Sequence, residues 1–147
     1  MRVAAIYDIH GNLPALEAVL ADIQRIGVDQ IVIGGDVVPG PMSRAALALL
    51  LDLGVPYHFI RGNGEREILA WMRGTESATI PEQYRSAMRW VARQLDEEHE
   101  KLFAGWPQTL RLVVPGIGVV LFCHATPRSD TEVFTTSHSR ATAAADL

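Results

Sequence analysis

Asp8, His10, Asp36, Asn63 and His124 share one circumstance: each stands just beyond a short apolar run, beside a glycine or another turn former. A set of carboxylate, imidazole and amide donors suits borderline divalent ions such as manganese, iron, nickel, cobalt or zinc. Calcium prefers oxygen ligands throughout, and a structural zinc prefers cysteines, of which this chain has one. A carboxylate between two ions can offer one oxygen to each, holding them about 3.5–4 Å apart. Taken singly, each residue has an ordinary reading. An aspartate after a strand is a turn or cap residue, His10 a loop residue, and Asn63 between two glycines a turn. Recurrence of the pattern at successive strand ends makes these residues a candidate metal site.

The apolar spacing supplies the strands. Residues 2–7 predict a strand, followed by a turn at Gly11-Asn12-Leu13-Pro14 and a helix that Pro14 opens. Leu16, Val19, Leu20, Ile23 and Ile26 recur at helical spacing, and Gly27 is a stop. Residues 30–33 predict a second strand, ended by Gly34-Gly35-Asp36. Residues 43–53 predict a second helix with Ser43 as its cap and Gly54 as its stop. Residues 57–60 predict a third strand, ended by Arg61-Gly62-Asn63-Gly64. Strands alternating with helices imply right-handed crossovers and a parallel sheet, an α/β fold. Ligands of such sheets bind beyond the carboxyl ends of the strands, and that rule gathers the five residues at one edge.

The middle of the chain predicts a helix over 65–73, opened by Glu65. A second helix starts near Pro81, with Tyr84, Met88, Val91 and Leu95 on one face. The run from Asp96 to Lys101 matches no metal motif and reads as a solvated helix end. After Pro107 the period changes to two: residues 110–114 and 119–123 flank Pro115-Gly116-Ile117-Gly118, a hairpin signature. The 147 residues, 48% hydrophobic and 20% charged, fit one domain. A net charge of −4 lacks the basic excess of a nucleic-acid surface. No apolar run approaches the roughly 18 residues of a membrane span, and Asp8 and His10 interrupt the one stretch that resembles a signal peptide. A cytoplasmic protein is the expectation. Cys123, without an internal partner, reads as a buried strand residue.

The motifs resemble those of one family. Asp8-Ile9-His10-Gly11-Asn12 resembles the DxHGN motif of calcineurin-like metallophosphoesterases. Gly34-Gly35-Asp36 with Gly40 is similar to their GD motif, and Arg61-Gly62-Asn63-Gly64-Glu65 to their GN[HG][DE] motif. Cys123-His124-Ala125-Thr126-Pro127 is similar to their fourth motif, a strand-terminal histidine. The match covers about the first 135 residues and is nearest to the small bacterial phosphodiesterase-like branch. It implies a layered α/β/β/α sandwich and a binuclear centre of divalent ions, manganese first, with iron, nickel, cobalt or zinc as alternatives. Asp8 and His10 would bind the first ion, Asn63 and His124 the second, and Asp36 both. These five would then also be the catalytic set. The family's mechanism sets a metal-bound hydroxide in line with the phosphorus of a small phosphate ester. A metal ion that lowers the pKa of its water supplies such a nucleophile near neutral pH.

Two departures qualify the resemblance. Some relatives carry a histidine after the motif asparagine, often considered a general acid, where this chain has Gly64. The family's last motif, GHTH or GHxH, has no counterpart. His138 lacks the preceding glycine, the apolar strand and the second histidine. The expectation is therefore a single domain over 1–147, incomplete at its C-terminus, with 135–147 an atypical tail and an open sheet edge that favours a homo-oligomer. Around the site, Arg61 and Arg66 are candidates to hold substrate phosphate through two-pronged contacts, and Asn12 to contact phosphate or fix the turn. His58, inside a strand, reads as a packing or surface residue and not as a ligand. Two further readings compete with a phosphoesterase. A non-catalytic scaffold of the same fold has no chemical need for the five ligands. A dinucleotide binder would need GxGxxG where the chain has Asp8-Ile9-His10-Gly11-Asn12-Leu13, and is rejected.

Overall fold

The run Ile31 to Val38 is buried without a break, as the middle strand of a parallel sheet and its exit loop require. In a computed structural model, which describes residues 1–78 and 80–133, this run carries the fold. The tail at 135–147, with His138, lies outside the described residues. Strand β1 (Val3–Ile6), β2 (Gln30–Ile33) and β3 (Tyr57–Phe59) form a parallel sheet in that order. Ala4 is aligned with Ile31, and Ile33 with Phe59.

Helix α1 (Leu13–Ile26) begins at the Asn12 cap, has Pro14 in its first turn and ends at Gly27, as its sequence predicts. Leu16 is buried and Leu20 and Ile23 half-buried, whereas Val19 and Ile26 face outward. Helix α2 (Ser43–Leu51) corrects one expectation. Met42 occupies the cap position, and the Ser43 hydroxyl donates to the Gly40 carbonyl at 2.9 Å instead of accepting from a helix N–H. The cause is tertiary: the Met42 N–H is drawn to the Gly11 carbonyl at 3.1 Å, which sets where the helix starts.

Helix α3 (Asn63–Met72) starts two residues earlier than the sequence predicts, and packs against α4 (Glu82–Ala92) and α5 (Glu97–Gly105). On α4, Met88 and Val91 are buried, with Leu95 just beyond, but Tyr84 is 56% exposed and does not join that face in the core. The acidic run from Asp96 opens α5. The Asp96 carboxylate accepts from the N–H groups of Glu98 and His99, and acids in the first turn suit the positive end of the helix dipole. Trp106, just after α5, stacks on Phe59 at 4.2 Å and meets Phe103 edge-on at 5.0 Å, tying the helical segment to β3.

The predicted hairpin forms as β4 (Thr109–Val114) and β5 (Gly118–Cys123), antiparallel, with Val113 opposite Val119. These two strands make a sheet of their own. His124 therefore reaches the site from a second sheet, not from the edge of the first. Among the described residues no helix is long and apolar enough to cross a membrane.

Candidate metal centre

Beyond β1 and β2 the two chain segments stay laced together. Asp8 N–H donates to the Gly35 carbonyl at 3.2 Å, His10 N–H to Asp36 at 2.8 Å and Gly11 N–H to Val37 at 2.8 Å. This continuation of the ladder carries Asp8 and His10 alongside Asp36. All three residues have positive φ, 53°, 46° and 55°. That conformation costs of order 1 kcal/mol or more each for a residue with a Cβ, and such strain concentrates at functional sites. One ligand atom from each of Asp8, His10 and Asp36 lies within 4.8 Å of the others.

The two imidazoles are oriented by the same device. His124 Nδ1 stands 2.9 Å from the Gly34 carbonyl, and His10 Nδ1 3.2 Å from the Pro39 carbonyl. A carbonyl only accepts, so each Nδ1 carries the proton and each Nε2 is left to ligate, the arrangement typical of metal-binding histidines. Both Nε2 atoms turn to Asp36, but to different oxygens. His10 Nε2 is 3.5 Å from Oδ2, with Asp8 Oδ1 at 3.8 Å, and His124 Nε2 is 3.6 Å from Oδ1. Asn63 Oδ1 lies 3.1 Å from His124 Nε2. Lone pairs thus converge from two sides on one buried carboxylate, a donor set that calls for cations. Asp8, His10 and one oxygen of Asp36 could hold one ion, and the other oxygen with Asn63 and His124 a second. Burial pushes the Asp36 carboxyl above its ordinary value. The Gly64 N–H at 2.7 Å and the imidazoles of His124 and His10 pull it back, and Asp8 adds a further upward push.

Position 64 explains one departure from the family pattern. A Cβ there would sit 2.0 Å from the Val38 carbonyl oxygen and 2.9 Å from Asp36 Oδ1. A histidine side chain would need the loop to move, so no acid can come from this position as the backbone stands.

Glu65 is the residue that sequence reasoning undervalued. It is fully buried, and its two oxygens accept four backbone N–H groups: Asp36 at 2.9 Å and Gly62 at 2.8 Å on one, Val37 at 2.7 Å and Val38 at 3.2 Å on the other. One carboxylate thereby fixes the loop after β2 to the loop after β3. Burial pushes its carboxyl up, and the donors from Gly62, Val38 and Asp36 resist. The available signal was its spacing, three residues after the Gly62 helix cap, where an acidic residue reaches back to the cap N–H. Tyr7 was also missed. Its ring stacks near His124 at 6.5 Å.

The substrate candidates are placed less simply. Arg66 is occupied: its guanidinium donates to Asp130 at 2.7 and 3.2 Å and to Glu67 at 2.8 Å, and Asp130 pushes its pKa further up. Asn12 accepts from the Ala15 N–H at 3.3 Å as the cap of α1. Arg61 is half-buried beside Asn63, with its backbone N–H on the Pro107 carbonyl at 2.8 Å.

The chain is similar to several known proteins. The model of the family described as calcineurin-like phosphoesterase matches residues 1–141. The uncharacterized protein MJ0912 of Methanocaldococcus jannaschii is 32% identical over 128 residues, 86% of this chain and 50% of that protein. The crystal structure of a metallophosphoesterase from Sphaerobacter thermophilus superposes with a TM-score of 0.66 at 30% identity, over 88% of this chain and 48% of that one. The hypothetical protein PH1004 from Pyrococcus horikoshii OT3 shares the fold, with a TM-score of 0.73 at 19% identity, over 88% of this chain and 56% of that one. The chain spans about half the length of these relatives. With most of its length matched by the family model, this chain belongs to the calcineurin-like phosphoesterase family.

Proposed function

We propose that this chain carries the metal-binding core of a hydrolase that cleaves small phosphate esters at a pair of divalent ions, manganese being the first candidate. The observation that supports it best is Asp36, whose two oxygens face different imidazoles, His10 at 3.5 Å and His124 at 3.6 Å. Divalent ions bound there would lower the pKa of water at the site and offset charge on phosphoryl oxygens. Asp8, His10 and Asp36 would hold one ion, and Asp36, Asn63 and His124 the other. The carbonyls of Gly34 and Pro39 keep both imidazoles in the ligating tautomer, and Glu65 keeps the Asp36 backbone in place. Each ion then has three protein donors, which leaves positions for water or phosphate. Arg61, beside Asn63, is available to a phosphate oxygen. Arg66 would have to exchange Asp130 for substrate.

The scaffold reading draws on the hairpin, where Val113, Ile117 and Val119 are 72%, 76% and 62% exposed and offer an apolar face to another chain. Hydrolysis of bis-p-nitrophenyl phosphate, with and without added manganese, separates the two. Manganese-dependent turnover that Asp36→Asn abolishes supports the hydrolase. Tight manganese binding with no turnover of diesters, monoesters or nucleotides supports the scaffold.

A further inference from the structure

A small cavity, of about 290 Å³, is lined by Asp8 and Asn12 themselves, and a larger, wholly uncharged one lies behind the loop that bears on His10. The larger cavity measures about 480 Å³, a size common for small-molecule sites, and none of its ten lining residues is charged. Pro39, Gly40 and Pro41 form one wall, and Tyr84, Met88 and Trp90 of α4 stand opposite. The first wall is one residue thick towards the metal ligands. The Pro39 carbonyl accepts from His10 Nδ1 at 3.2 Å, and a Cβ on Gly40 would lie 1.7 Å from the His10 carbonyl oxygen. On its other flank Pro39 abuts the Asn63 loop, since a Cβ on Gly64 would lie 3.1 Å from Pro39 Cδ.

We propose that this cavity seats the organic part of the ester substrate, a compact, ring-sized apolar group, while the phosphate sits at the metal ligands. The proposal rests on the phosphoesterase reading and adds a substrate class to it. Placement favours it: the Pro39–Pro41 segment follows the carboxyl end of β2, where ligands of parallel sheets bind. Another cavity, of about 380 Å³, has Gln24 and Asp52 in its lining beside Gly27, Val28, Gly54 and Val55, which precede β2 and β3. It therefore opens at the wrong end of the strands. A small polar cavity beside His124 includes Arg66 and Arg128, but those cations are paired with Asp130 and Glu132. The lining itself also fits. Tyr84 and Trp90 leave 56% and 52% of their surface exposed on a helix whose other outward positions are mostly polar or small. Flat aromatic faces at a cavity mouth stack readily on a planar group, and prolines hold the opposite wall rigid.

The test compares phenylphosphonate with methylphosphonate, two non-hydrolysable ligands with the same head group, titrated into the whole 147-residue chain with manganese present. Calorimetry gives the affinities, and the fluorescence of Trp90 reports occupancy, because Trp71 and Trp106 are buried. Phenylphosphonate should bind on the order of tenfold or more tightly than methylphosphonate, the scale expected for burying a ring. Ala87→Trp, at an exposed α4 position that lines the cavity, should fill it. It should erase that preference while leaving methylphosphonate affinity and the circular dichroism unchanged. Equal affinities in the parent, or a preference that survives Ala87→Trp, overturn the cavity assignment alone. Failure of both phosphonates to bind in manganese overturns the phosphoesterase reading with it.

Discussion

Asp36 and His124 reach the same centre from very different surroundings. Asp36 stands within eight consecutive buried residues, 31–38, between two neighbouring strands, with Glu65 holding the backbone on its far side. His124 follows a hairpin whose residues, Val114 apart, are half-buried or exposed, and its ties are few. The Gly34 carbonyl accepts a hydrogen bond from its Nδ1, Asn63 and Asp36 face its Nε2, and Arg66 anchors Asp130 in the segment that follows. The lesson is that half of the centre is set by core packing and the other half by polar contacts across two sheets. Damage to the first half should be felt in both folding and metal binding, and damage to the second mainly in metal binding.

The largest effect should come from Asp36→Asn, which removes the one donor facing both imidazoles. Manganese affinity measured by calorimetry should fall by on the order of 100-fold or more, with loss of the second equivalent. The same variant should act oppositely on the metal-free protein. Because burial raises the Asp36 pKa, folding favours its protonated form. That contribution is complete below the ordinary carboxyl value and disappears as pH rises through the raised one. Metal-free Asp36→Asn should therefore melt above the parent at pH 8, with the gap closing as the pH is lowered. A variant less stable than the parent at pH 8 would count against burial as the dominant influence.

Next in size is Glu65→Gln. An amide offers one acceptor oxygen and sets its NH2 against two of the four backbone donors. Urea unfolding should show a loss of about 3 kcal/mol, the scale for disrupting a buried, hydrogen-bonded charge. A loss below about 1 kcal/mol would show that the two loops hold their shape without it. Asp130→Ala should do less. Unfolding free energy should change by no more than about 1 kcal/mol, as for a partly exposed ion pair. Affinity for the second ion should fall about tenfold through looser placement of His124. An unchanged second equivalent would mean that the Gly34 carbonyl suffices. The smallest effect belongs to the hairpin surface, where Val119→Thr should alter stability by under about 0.5 kcal/mol and leave metal binding alone.

Much of this was legible in the sequence for a physical reason. Strands β1 to β3, helix α1 and the hairpin announce themselves through local periodicity and turn residues, and every candidate ligand follows the end of one of these strands. What local pattern could not supply was the partner across space. Ser43 reads as a cap, yet the pull of Gly11 on Met42 shifts the helix start. Tyr84 shares helical spacing with Met88 and Val91, yet it stands exposed at the mouth of a cavity that no periodicity reveals. Glu65 reads as a helix opener, because three of its four donors lie about 28 residues away in sequence. Arg66 looks free until the segment after the hairpin brings Asp130 to it.

The centre is tested most directly by crystals of the manganese-loaded protein, with anomalous differences measured at the manganese edge. A shared Asp36 predicts two peaks about 3.5–4 Å apart, one beside Asp8 and His10, the other beside Asn63 and His124, with one Asp36 oxygen turned to each. A single peak, or two peaks that do not share Asp36, would contradict the two-ion site.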